Sequence, residues 1–353
     1  MYQTQVKPAS EDVLQEASRL LHDGQLVAFP TETVYGLGAN ALDKDAVLSI
    51  FAAKGRPADN PLIVHIWDVA QLDGLCHIPD GAEALMKRFW PGPLTILMPR
   101  TERIPLEVTA GLPTVAIRMP SHPVAAALLK TCSLPIAAPS ANRSGKPSPT
   151  SAHYVLQDMD GRIPLIIDGG ACDVGVESTV IDLTHGNPTI LRPGGVTREM
   201  LEEVLGPVDV AGSVLRPLQK GEKALSPGMR YKHYSPDGQV TLVEGDEQDV
   251  VQALSHLCHE ARQQGYSACV MCFSEHMDDL SDCAPHDIGS IHDPASTAQC
   301  LFDTLRHLDD EKMDMIFSEV VPVSGVGLAV MNRLGRAAAF RTISAKAVLS
   351  EKS

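Results

Sequence analysis

The stretch over residues 27–65 constrains the fold more than any other: it reads VAFPTETVYGLGANA, then a helical segment, then AKGRPADNPLIVH. An apolar strand over 26–29 runs into the hydroxyl-rich turn Thr31-Glu32-Thr33. Val47, Ile50 and Phe51 mark one face of a helix over 43–53, and Gly55 stands where a left-handed residue would end it. Lys54 and Arg56 flank that glycine, and Asn60-Pro61 opens a second apolar strand that finishes at His65. Strand, helix and strand in this order pack as α/β layers, with ligand crevices at the sheet ends. Two cations and a set of backbone amides beside a glycine are also what a phosphate ester needs, so a nucleotide site is expected.

The pattern extends through the first half. Residues 10–22 place Val13, Leu14, Ala17, Leu20 and Leu21 on a helical face, with Ser10 as N-cap, Glu11 and Asp12 in the first turn and Gly24 past the end. Further β-like runs cover 62–66, 94–98, 114–117, 135–138, 165–167, 179–183 and 189–191. They predict an α/β domain with a twisted mixed sheet over residues 10–205. Over 206–237 the periodicity fades while Pro, Gly, Lys and Arg accumulate, which predicts a linker. Strands at 240–243, 268–273 and 315–317 then alternate with helices at 249–264 and 297–308, predicting a smaller Rossmann-like α/β domain over 238–346. The length of 353 residues suits two cores better than one.

Composition excludes several classes. A net charge of -15 disfavours passive binding to nucleic acid, whose affinity rests on Lys and Arg neutralising phosphates; any RNA contact must be local. The chain shows neither a charged-then-apolar leader nor 18 consecutive apolar residues, so no membrane association and a cytoplasmic location are expected. Eight cysteines without framework spacing point to reduced thiols, and Cys269-Val-Met-Cys272 lies in an apolar run that reads as core. The segment from Gly36 to Ala41 matches G-x-G-x-x-A, the basis for a NAD(P)-dependent dehydrogenase. Its first glycine comes five residues too late for the tight turn after a strand, so the match is set aside.

Two more regions carry candidate chemistry. The loop after residue 138 holds Ser140, Asn142, Ser144, Ser148 and Thr150, small donors that either fill a loop or cradle a phosphate. Arg118 and Arg192 each end an apolar strand and could fork onto a carboxylate or phosphate, or pair with a structural acid. Glu177-Ser178-Thr179 opens another strand and adds a further hydroxyl.

The segments FPTETVYGLG, KGRPADNPL, WPGPLT, AIRMPSHP, IAAPSAN, GVESTVID and LRPGG, in this order, closely resemble the YrdC-like threonylcarbamoyl-AMP synthases. PGMRYKHYSP and MNRLGRA resemble the linker and C-terminal domain of the longer, two-domain form, so the resemblance covers nearly the whole chain. It implies a nucleotidyltransferase that makes threonylcarbamoyl-AMP and pyrophosphate from L-threonine, bicarbonate and ATP with Mg2+, the first step of threonylcarbamoyladenosine formation in tRNA. A downstream threonylcarbamoyl transferase and at most indirect contact with tRNA are implied as well. The alternative is an RNA-binding module of the same fold without catalysis.

By the same resemblance Lys54 and Arg56 are catalytic and bind ATP together with Asn60, Thr114, Ser140, Asn142, Ser148 and Arg192. Thr31, His65, Arg118, Ala138 and Ser178 surround L-threonine. Tyr231, His233 and Tyr234 belong to a linker that folds over the site. No acidic cluster announces a protein cage for the metal, so the nucleotide phosphates are expected to carry it. Chemically, Arg118 can grip the threonine carboxylate with a planar fork, while Lys54, Arg56 and Arg192 neutralise charge developing on the α-phosphate.

Overall fold

A computed structural model describes residues 2–216 and 234–350. Among these, residues 2–144 and 148–216 form one unit, and residues 145–147 with 234–350 form another. Compared with the expected boundaries, the first unit also takes in a strand ahead of residue 10 and a short one inside 206–237.

The first unit is built on β1 (Gln5–Pro8), β2 (Val27–Phe29), β3 (Gly36–Asn40), β4 (Ile63–His65), β5 (Leu94–Pro99), β6 (Thr114–Arg118), β7 (Ile136–Ala137), β8 (Leu165–Asp168), β9 (Thr179–Asp182), β10 (Thr189–Arg192) and β11 (Asp209–Val210). They form one mixed sheet in the order β1-β8-β2-β3-β7-β4-β6-β5-β9-β10-β11. β1 lies parallel to β8 at one edge, and its half-exposed, polar QVKP explains why it carries no hydropathy signal. The glycines of the set-aside dinucleotide match lie within β3, which pairs antiparallel with β2. A Cβ on Gly38 would come within 2.8 Å of the Phe29 ring and 2.9 Å of Ile136, so this glycine serves close sheet packing.

Helices cover both faces of part of this sheet. The helix Glu11–His22 starts at Ser10, whose hydroxyl accepts from the Val13 amide (3.3 Å), and it buries Val13, Ala17 and Leu21 on one stripe. With the helix Pro123–Cys132 it covers Val27, Phe29, Ile136 and Ile167. The helix Lys44–Lys54 begins on Asp43 and ends at Gly55 in the left-handed conformation (φ 61°), as its sequence predicts. Its Val47, Ile50 and Phe51 join the larger core on the other face, with Leu37, Val64, Ile96 and Ile117.

The second unit carries β12 (Gln239–Glu244), β13 (Ala268–Cys272), β14 (Pro285–Asp287), β15 (Met315–Glu319) and β16 (Thr342–Ser344). All pair parallel, in the order β14-β13-β15-β12-β16. Cys269 and Cys272 are buried in β13, so this CxxC belongs to a core strand. Among the described residues no helix is long and apolar enough to cross a membrane.

Candidate active site

Five neighbouring strands of the first unit align the polar side chains. The registers set His65 opposite Arg118, Arg118 opposite Thr95, Thr95 opposite Val180 and Val180 opposite Arg192. Residues directly opposed on paired strands share a face. His65, Arg118, Thr95 and Arg192 therefore form one row, next to a small apolar patch of Ile63, Leu97, Ala116, Val180 and Leu191 on that face. A register shift between Ile190 and Arg192 marks a bulge in β10, the device by which a strand re-aims a side chain.

Arg118 is buried and heavily engaged. Its Nε donates to the Gly92 carbonyl (3.3 Å), one terminal nitrogen donates to Thr33 Oγ1 (2.8 Å), and the other lies 2.7 Å from Glu32 Oε1. Burial pushes the Glu32 carboxyl up, but the Arg118 guanidinium outweighs it and holds the group below the usual carboxylate range. Thr31 shapes the turn: its hydroxyl lies 2.9 Å from Thr33 Oγ1 and donates to the Val34 carbonyl (2.6 Å). A guanidinium has five N–H donors. Nε and one terminal nitrogen each use one, on Gly92 and Thr33, while the other terminal nitrogen meets Glu32 as a charge pair without hydrogen-bond geometry; among the described residues, N–H groups on both terminal nitrogens stay open, an arrangement suited to a ligand carboxylate.

His65 is fully enclosed, edge-on to Phe29, and its Nδ1 has no hydrogen-bond partner among the described residues. Burial, then the nearby Arg118 charge, depresses its pKa to about 3, so the ring is neutral at physiological pH. Ala138 donates its amide to the Ile63 carbonyl (2.9 Å) and packs beside Gly36.

Ser178 lies between two partners, with Thr95 Oγ1 at 2.8 Å and an Arg192 terminal nitrogen donating to its hydroxyl at 3.1 Å. Arg192 Nε also donates to the Ser178 carbonyl (3.0 Å). A side chain on Gly194 would collide with the backbone of residues 177–179, so a glycine here lets the two segments close together. Ser148, also buried, donates to Glu177 Oε1 (2.5 Å).

A second group forms around the end of the helix Lys44–Lys54. The buried Lys54 ammonium donates to the carbonyls of Ser140 and Asn142 (2.6 Å to the latter) and lies 3.3 Å from Asn142 Oδ1. Ser140 Oγ donates to the same Asn142 oxygen (2.5 Å). Arg56 turns the other way past Gly55 and donates to the carbonyls of Asn60 (3.0 Å) and Pro61 (3.2 Å), stacking over Phe51. Asn60 is 1% exposed, and neither side-chain amide atom has a hydrogen-bond partner among the described residues. An amide in this condition is expensive to bury and suited to a polar ligand.

A family model described as telomere recombination (Sua5_yciO_yrdC) matches residues 19–194, and a model of the threonylcarbamoyl-AMP synthase C-terminal domain matches residues 196–339. The threonylcarbamoyl-AMP synthase of Bacillus subtilis strain 168 is 48% identical over 330 residues, 93% of each chain. The chain belongs to the threonylcarbamoyl-AMP synthase family. The synthase of Pyrococcus abyssi is likewise 48% identical, over 93% of this chain and 94% of its own. A crystal structure of P. abyssi Sua5 complexed with L-threonine superposes with a TM-score of 0.90 at 46% identity, covering 98% of this chain and 99% of that one.

Within this synthase fold the expected residues fall into groups. His65, Arg118 and Arg192 stand in the row, and Thr31, Ala138 and Ser178 adjoin it; Lys54, Ser140 and Asn142 form one hydrogen-bonded knot. Thr114 begins the strand that Arg118 ends, about 13 Å away along it. It pairs with Pro99 of β5 there and so stands apart from the row. Tyr234 is buried in the second unit, its ring 5.2 Å from that of Phe302. Tyr231 and His233 lie outside the described residues.

Four participants carried no assigned role in the sequence reading: Glu32, Thr33, Thr95 and Glu177. For Glu32 and Glu177 the visible signal was an acid standing among hydroxyls, TET and VEST, but the groups that meet them, Arg118 and Ser148, come from elsewhere in the sequence. The expected helix over 43–53 leaves Lys54 outside it. Instead it is the last residue of its helix, with its ammonium set on loop oxygens.

Proposed function

We propose that this chain catalyses nucleotidyl transfer: L-threonine, as its free amine, and bicarbonate give N-carboxythreonine and water, and an oxygen of the new carbamate then attacks the ATP α-phosphate to expel pyrophosphate. The product is threonylcarbamoyl-AMP. The observation that carries this reading is the buried Arg118 fork, hydrogen-bonded to Gly92 and Thr33 and paired in charge with Glu32, with N–H groups on its terminal nitrogens open to a carboxylate among the described residues. The P. abyssi relative named as complexed with L-threonine supports the same substrate, and the family match favours catalysis over an RNA-binding module.

Neutral His65 and the Ser178 hydroxyl border the amino acid. Arg192, held by Ser178, and Arg56 supply positive charge for the phosphates, a stabilising role often worth a few kcal/mol per group. Lys54 shapes the Ser140–Asn142 loop that meets the nucleotide, and Asn60 gains its missing partners there. Mg2+ would come with ATP. Among the described residues, the groupings of His, Cys and carboxylates at metal-like spacing both lie in the second unit. The phosphates would accordingly supply the metal's ligands, and no step here is routed through it. The mixed anhydride formed is labile, so a cytoplasmic threonylcarbamoyl transferase would consume it, with tRNA contacted through that partner.

Pyrophosphate release tests the reading, measured with threonine, bicarbonate and ATP omitted in turn. Release requiring all three is expected; release that persists without threonine would refute the proposal.

A further inference from the structure

The second unit has a crevice at the carboxyl ends of its parallel strands, the place where open α/β sheets receive ligands. It encloses about 430 Å³, within the range of small-molecule sites. Glu244 and Gly245 enter it from the end of β12, Phe273 from the end of β13, and Glu319 through Val323 from the end of β15.

A polar chain runs into this crevice. His276 Nδ1 lies 2.8 Å from Glu319 Oε1, and its Nε2 lies 3.0 Å from Glu247 Oε1. Glu319 Oε2 accepts the Phe273 amide (2.6 Å). His276 and Glu319 are both buried, at 5% and 3% exposure. A buried ionic pair adds little stability compared with well-packed apolar residues. Titratable groups perturbed by burial and by a charged partner in a cleft make that cleft a candidate functional site. Burial raises the Glu319 carboxyl, while its two carboxylate neighbours raise His276 against its own burial.

The lining also discriminates between ligands. Val250, Phe273, Ile291, Val321, Pro322 and Met331 make apolar walls. Among the described lining residues there are three carboxylates and one histidine, and neither lysine nor arginine. Phosphates and carboxylates are therefore repelled, whereas an ammonium finds acceptors at Glu319, Glu247 and Glu244.

We propose that this crevice is a second ligand site, separate in its residues from the synthase centre, which takes a small organic amine with an apolar body. The ammonium sits at the Glu319 end and the body lies against Phe273 and Val321.

The probe is tryptamine, titrated calorimetrically into the full chain, with indole-3-acetate as the anion of like body. Tryptamine should bind and indole-3-acetate should not, and saturating ATP with threonine should leave tryptamine affinity unchanged. Glu319→Gln should weaken binding at least tenfold. Glu244→Gln, at an exposed position, should weaken it several-fold and serves if the buried variant fails to fold. Absence of tryptamine binding, equal binding of the two indoles, displacement by ATP with threonine, or full affinity in a folded variant would each overturn the proposal.

Discussion

His65 should make the first unit sensitive to acid in a calculable way. Its folded-state pKa of about 3 lies well below the ordinary value of 6.5, chiefly because burial disfavours the imidazolium. As pH falls the unfolded chain therefore takes up the proton first, and stability drops. The contribution is intact above about pH 7, erodes from about 6.5 downward and is gone near 3. Each pH unit inside that window costs ~1.4 kcal/mol, so pH 4.5 removes roughly 3 kcal/mol and the whole window about 5. For a unit of this size 1 kcal/mol moves the melting point by ~2–4 °C. The expected loss between pH 7.5 and 4.5 is then roughly 6–12 °C from this residue alone. Other groups titrate as well, Glu32 among them, whose depressed pKa adds a loss at still lower pH. The measurement is accordingly a difference: thermal unfolding of the wild type and of His65→Gln at pH 7.5, 6.5, 5.5 and 4.5. Glutamine cannot titrate, so the gap between the two curves should narrow or invert as pH falls. Parallel curves across that range would refute a neutral, enclosed His65.

Further outcomes follow from the same geometry. Glu32→Gln strands a buried guanidinium and should cost about 3–5 kcal/mol in urea unfolding; Glu32→Gln with Arg118→Met should recover most of that, and no recovery would mean the two do not act as a pair. Arg118→Lys keeps the charge but loses the fork, so the threonine KM should rise well before the ATP KM, and equal rises would assign Arg118 to the scaffold. Asn60→Leu relieves an unsatisfied amide and should raise the melting temperature by a few degrees while the ATP KM climbs about tenfold or more; a destabilised variant with normal ATP use would contradict its assignment. Ending the chain at Arg216 retains β11 and should leave a folded first unit that makes far less intermediate than a chain ending at Pro236; equal synthesis would reduce residues 217–236 to a connector.

The parts legible in the sequence were those fixed by local chemistry. Ser10, Gly55 and the apolar periods around them placed helix ends correctly because capping is decided within a few residues. β1 and β3 were not legible: one is a polar edge strand, and the other is glycine-rich because Phe29 and Ile136 crowd it from neighbouring strands. The site divides in the same way. Cations and hydroxyls at strand ends stood out as residue types, but their partners depend on pairing across the fold. Lys54 meets carbonyls from a loop 86 residues away, and no spacing near residue 54 announces that loop. Glu32 was visible as an acid in a turn, yet its pairing with Arg118 requires the end of β6 to come beside that turn.

The alignment of His65, Arg118, Thr95 and Arg192 has a consequence for how such a protein can change over time. These residues stand on β4, β6, β5 and β10, with β9 between the last two, so the site is a ruler whose rungs are strands about 4.8 Å apart. Four intervals give a span of roughly 19 Å, and no single substitution can shorten one interval without unpairing a strand. A lineage that alters how far one of these groups reaches must therefore exchange the side chain on a rung. Insertions can accumulate in the loops, while the spacing between the Arg118 rung and the Arg192 rung is inherited unchanged.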